Sequence, residues 1–211
     1  MAQRDWWEDW NLSYADDAFG TISGGHSVQE AAYKTLKKWL PTYIAEFNRM
    51  LGSTVLVEPF EYRHRPEFRT LPRQAAAAIL LSVPTTVGPP EIFQTNIRAN
   101  WRLEAMVYVY GTKDWQETEA LTQAYAACIR ACLIQQRGLG GFAETTLWDG
   151  EEYLEGEHSS GRTTGIAHVR FIVTVGNAMD MYGGPPAPST DAPAPLTIVT
   201  SANVQVEKEQ L

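Results

Sequence analysis

Trp101-Arg102-Leu103-Glu104-Ala105-Met106-Val107-Tyr108-Val109-Tyr110, followed closely by Asp114-Trp115-Gln116-Glu117, decides how this chain folds. Trp101, Leu103, Ala105, Val107 and Val109 alternate with Arg102, Glu104, Met106, Tyr108 and Tyr110, and a period of two puts one set on each face of a long strand. One face is therefore apolar. Asp114, with Glu117 three residues on, is a helix-capping pattern. Leu121, Tyr125, Cys128, Ile129, Cys132 and Leu133 then recur at helical spacing, the buried face of a helix that Gly138 is expected to end.

Upstream, Ser27-Val28-Gln29-Glu30 has the form of a capping box, with Ser27 as the cap. Val28, Ala32, Leu36, Trp39, Leu40, Tyr43, Ile44, Phe47 and Leu51 follow as a helical stripe up to Gly52, a C-terminal stop. Pro41 is expected to kink or split this helix. Val55-Leu56-Val57 and Ala75 to Val83 read as two strands. Downstream, Leu147-Trp148-Asp149-Gly150 with Tyr153-Leu154 reads as a short strand or turn. Ala167, Val169, Phe171, Val173 and Val175 alternate with Ile166, His168, Arg170, Ile172 and Thr174 as a second long strand. The order is helix, strands, helix, strands. The expected fold is α+β, a mostly antiparallel sheet against two main helices.

Three segments are assigned: an extended arm at 1–26, the domain at 27–182, and a Pro-rich linker with a strand-like end at 183–211. The 211 residues suit one domain, and 44% hydrophobic against 20% charged residues is the balance of a folded chain. Lys and Arg number 17 against 25 Asp and Glu, a net charge of −8 that argues against wrapping nucleic acid by phosphate neutralisation. The N-terminal residues mix acids with tryptophans and lack the apolar core of a secretory signal. No apolar run approaches the roughly 20 residues that span a bilayer, so no membrane contact is expected. Cys128 and Cys132, four apart on one helix, read as two buried thiols of a reducing cytoplasm.

Catalytic patterns are sought with little return. His26, His64, His158 and His168 lack metal-site spacing. Gly138-Leu139-Gly140-Gly141 follows a helix instead of opening one, so it is neither a P-loop nor a dinucleotide turn. Ser159-Ser160-Gly161 lacks the nucleophile-elbow spacing. Glu151, Glu152, Glu155 and Glu157 beside His158 form an acidic run that suits either a solvated face or a divalent-cation site. The sequence thus argues against an enzyme, and no cofactor is expected.

Interaction residues stand out more. Arg63, Arg65, Arg69 and Arg73, with Phe68 among them, form the basic concentration of an acidic chain, on what reads as the tip of a hairpin. Trp6, Trp7 and Trp10 bring the residue type most enriched at binding hot spots. Leu196, Ile198, Val199, Val204 and Val206 have strand propensity but sit in a segment too short for its own core, so they are expected to pair elsewhere.

Ser27 to Leu51, the Trp101 to Tyr110 strand leading into the Asp114 helix, and Trp148-Asp149-Gly150 followed by Ala167 to Val175 with Asn177 together resemble the tail terminator proteins of long, non-contractile-tailed bacteriophages (siphoviruses). The resemblance covers about Ser27 to Met181. It implies a non-enzymatic virion protein, assembled in the bacterial host cytoplasm into a hexameric ring at the head-proximal end of the tail. Its implied partners are further copies of itself, the major tail tube protein and a head-completion or neck protein, with genomic DNA passing through the lumen without tight binding. Two alternatives stay open: a head-to-tail connector or tail-completion ring, and a small metal-dependent hydrolase built on the Glu151 to His158 run.

Overall fold

The computed structural model describes residues 23–59, 61–63, 77–93, 96–110, 114–157 and 163–180. Helix α1 runs over Gly25–Leu51. It starts before Ser27, because the Gly24 carbonyl already accepts the Ser27 and Val28 amides at 3.0 and 3.3 Å. Gly24 is therefore the cap. Ser27, third in the helix, instead accepts the Gly24 N–H on its Oγ at 3.4 Å, the reciprocal half of a box. Pro41 lies within one continuous helix, so the helix is not split there. The buried stripe of Leu36, Leu40 and Ile44 continues across it, and Lys37, whose carbonyl loses its partner, is on the exposed face. At the other end Gly52 adopts φ 66°, donating to Arg49 O while Ser53 donates to Asn48 O, both at 3.2 Å, a complete Schellman stop.

The expected strand at Val55-Leu56-Val57 does not form; Thr54 to Pro59 is irregular. Side chains satisfy this backbone instead of a ladder. Asn48 Oδ1 accepts the Val55 and Leu56 amides at 2.9 Å, and Asn48 Nδ2 donates to Leu56 O at 2.8 Å. The Tyr125 hydroxyl accepts from Val57 N and donates to Val57 O. Leu56 is thereby pinned into the core without joining the sheet.

Seven strands form one sheet: β1 (Glu61–Arg63), β2 (Ala77–Leu81), β3 (Thr85–Thr86), β4 (Glu91–Phe93), β5 (Asn96–Tyr110), β6 (Thr145–Glu157) and β7 (Thr163–Asp180). Their order is β1-β2-β5-β7-β6, with β3 and β4 also on β5, and every pairing is antiparallel except β1 with β2. Helix α2 (Trp115–Gln135) is capped by Asp114, whose carboxylate accepts the Gln116 amide at 3.0 Å. It stops short of Gly138, passing through a turn into a short 3-10 segment, Leu139–Gly141.

Both helices cover one face of the sheet. Leu36 and Leu40 of α1, Ile129 and Leu133 of α2, and Leu103, Val107, Val169, Phe171 and Val173 of the central strands are fully buried there. The alternation read in the sequence is the alternation observed. The second face is mixed: Leu80, Met106 and Tyr108 form a small buried cluster with Ile166 against it, while Arg102 beyond them is exposed.

Cys128 and Cys132 are free and buried against this core, and burial pushes their thiols up to about 11 and about 12. Below pH 9, the ordinary value given for these thiols, both are neutral whether the chain is folded or not. Above it only the unfolded chain ionises, so stability is lost as pH rises from 9 through 11 to 12. A thiol reagent at pH 8 is expected to leave both untouched until denaturant is added; rapid labelling of the native protein would contradict this burial.

Candidate functional site

The described residues show where each expected contact segment is tied into the fold. Arg63 is the last residue of β1, and not part of a loop. Because β1 runs parallel to β2, with Glu61 opposite Ala78 and Arg63 opposite Leu80, the two strands are not the arms of a hairpin. Parallel neighbours require a connection that returns the chain to its starting end. Arg65, Phe68, Arg69 and Arg73 fall within that connection and outside the described residues.

Trp6, Trp7 and Trp10, and Leu196, Ile198, Val199, Val204 and Val206, also lie outside them. Their points of attachment are defined, however. The Ser23 amide donates to Ala178 O at 2.7 Å, and β7 ends two residues later at Asp180. The described chain therefore begins and ends at one corner of the domain.

The two carboxylates of the acidic run whose side chains are described do not converge. In register, Glu151 is opposite Val169 and Glu152 opposite His168, so the two carboxylates project from opposite faces of β6. Glu151 is bound by Arg130 of α2 and accepts from the Tyr153 hydroxyl at 2.8 Å. Glu152 is bound by Arg170 on the second face. His64 and His158, and the side chains of Glu155 and Glu157, are outside the described set. Among the described residues no group of three or more His, Cys, Asp or Glu could hold a metal ion, and no helix is long and apolar enough to cross a membrane.

Across the second face these charges form a ladder over three strands. Arg102 meets Asp149 at 3.2 Å, and Arg170 joins Glu152 to Glu104, the latter at 3.4 Å. The His168 Nδ1 lies 2.9 Å from the same Glu104 carboxylate. The hydrogen bonds that Arg170 donates to the Glu152 and Glu104 carboxylates raise its guanidinium above its already basic range. Exposed pairs of this kind each contribute about 1 kcal/mol or less, so the ladder positions side chains more than it stabilises the fold.

Sequence reasoning underestimated β6. It is a 13-residue strand at the outer edge of the sheet, with a bulge between Trp148 and Gly150 where Gly150 takes φ 133°. Leu147 and Leu154 on one face and Trp148 and Tyr153 on the other are 43–56% exposed. The Arg130 guanidinium lies 4.9 Å from the Trp148 ring centroid while also binding Glu151, so Trp, Arg and Tyr are held together beside a free edge. The signal was present as the doubled apolar pairs Leu147-Trp148 and Tyr153-Leu154, which place one apolar side chain on each face. Asp149-Gly150 between them resembled a turn.

No family model and no curated protein matches the sequence. Among solved structures, the chain is similar to one from the "Virion of native gene transfer agent (GTA) particle", at 15% identity, covering 70% of this chain and 94% of that chain, with a TM-score of 0.42. That likeness concerns the path of the chain and says nothing of its role.

Proposed function

We propose that this chain is a structural subunit of a phage-like particle, and that copies of it form a hexameric ring capping the head-proximal end of a tail tube. The observation that carries the proposal is the β6 edge, long, uncovered by any described strand and lined by four exposed large apolar side chains. Such an edge in a soluble chain is a docking surface. The sequence resemblance to tail terminators supports the same reading. So does the meeting of the two ends of the described chain at one corner, which suits contacts between neighbours.

A tube grows because its subunits make open head-to-tail contacts, and growth stops when a closed ring matches it on one side and offers a different surface on the other. Complementarity suffices for this and no bond is broken. The net charge of −8 suits a ring through which DNA slides without sticking.

The test is to add the purified chain to polymerising tail tube protein and measure tube lengths by negative-stain microscopy. Tubes are expected to stop early with a ring at one end. Deleting everything after Gly184 is expected to weaken the ring while leaving the circular dichroism spectrum of the domain unchanged. Tubes of unaltered length without bound chain would overturn the capping role, and binding to head-completion protein alone would reassign the ring to the neck.

A further inference from the structure

Resting on the ring reading above, we infer that the outer edge of β6 receives residues 196–206 of a second copy of this chain as an added strand. Natural edge strands are kept from pairing by shortness, by charged side chains (lysines above all), by prolines or by bulges; in β6 the bulge between Trp148 and Gly150 leaves Gly150 to Glu157 as the regular edge. β6 is 13 residues long and contains neither Lys nor Pro. What it does carry is five acids, Asp149, Glu151, Glu152, Glu155 and Glu157, and no base.

That charge pattern selects the occupant. Two β6 edges laid together would oppose ten carboxylates, of which Asp149, Glu151 and Glu152 in each copy are partnered by Arg102, Arg130 and Arg170, and like charges across a pair are destabilising. Residues 196–206, Leu-Thr-Ile-Val-Thr-Ser-Ala-Asn-Val-Gln-Val, have no charge at all. Leu196, Ile198, Ala202, Val204 and Val206 share one face by period two with Thr200, while Thr197, Ser201, Asn203 and Gln205 share the other with Val199. An uncharged strand with one apolar face suits an acidic edge flanked by Trp148 and Tyr153. Main-chain hydrogen bonds would supply affinity and these side chains register.

Reach excludes one of the two ways in which the tail could pair with its own copy. The linker 181–195 holds five prolines and, extended as polyproline II, spans roughly 46 Å. β7 runs from Thr163 to Asp180, about 56 Å, with the far end of β6 opposite its start. Antiparallel addition along the whole of its own β6 is therefore out of reach. Parallel addition in the same copy has to cover only about 20 Å, the distance from Asp180 to the Thr174 row opposite Thr145, and is the alternative that the concentration dependence below separates from donation to a second copy.

Two measurements on the full chain test this. Amide hydrogen exchange over Thr145–Glu157 is expected to slow by roughly 100-fold or more as concentration rises and the chain assembles. Light scattering is expected to separate two triple variants of the polar tail face: Thr197, Ser201 and Gln205 all changed to glutamate should lose assembly, and the same three changed to lysine should keep it. Protection of β6 that does not vary with concentration would mean the tail folds onto its own copy and would overturn donation. An assembled chain whose β6 exchanges as in the monomer, or charge variants that behave alike, would overturn the inference and leave the ring standing. A chain monomeric at every concentration would overturn both.

Discussion

Phe171→Ala is expected to destabilise the domain by about 3–5 kcal/mol, the range for removing a buried aromatic ring from a packed core. Phe171 is fully buried and is among the largest such side chains in the described chain. It sits mid-strand on β7, opposite Leu103 of β5 on one side and Trp148 of β6 on the other, on the face that the core occupies. Ile172, one residue along, points to the second face and is only partly buried. Ile172→Ala is expected to cost less than half as much, as read from urea midpoints at equal slope. Equal losses at the two positions would show that the helices do not seal the core as described.

Reversing Arg63, Arg65, Arg69 and Arg73 to glutamate together is expected to abolish capping while the domain still folds. Arginine forks bind carboxylates bidentately, and truncating one partner of a desolvated interfacial pair costs roughly 2–5 kcal/mol, so a partner surface that met several of these arginines would repel their replacements. Since Arg63 belongs to β1, a triple reversal at 65, 69 and 73 separates the contact from any loss of that strand's pairing. Tubes should overgrow in both variants with melting temperatures within a few degrees of the parent. Normal tube lengths with altered genome delivery would place these arginines toward the lumen, and normal behaviour throughout would remove them from any interface.

Much of the fold was legible where one force dominated. β5 and β7 have one buried and one mixed face, so alternation alone disclosed them and their inward residues. α1 and α2 showed their stripes for the same reason. The misreadings share a physical origin, in that local pattern competes with partners distant in sequence. Val55 to Val57 has the composition of a strand, yet the Asn48 and Tyr125 side chains already satisfy its backbone. Asp149-Gly150 has the composition of a turn, yet β7 holds both sides of it in register and makes it a bulge. Strand direction leaves no trace in residue type, so the parallel β1–β2 pair, and with it the nature of the arginine segment, was hidden. The contact candidates named from sequence lie mostly in the terminal and connecting segments. The patch of Arg130, Trp148 and Tyr153 was missed because it joins a helix to an edge strand and exists only once both are packed.

The hydrogen bond from Ser23 to Ala178 makes the entry and exit of the domain a single pivot. In the ring proposed above, contacts made by the two terminal segments would therefore not be independent. A grip on a neighbour by one would confine the other to a small volume around the same neighbour, at an effective concentration that reaches the millimolar range for short linkers. Two individually weak contacts would then act as one strong, reversible clasp, with avidity about 10²–10⁴ above either contact alone.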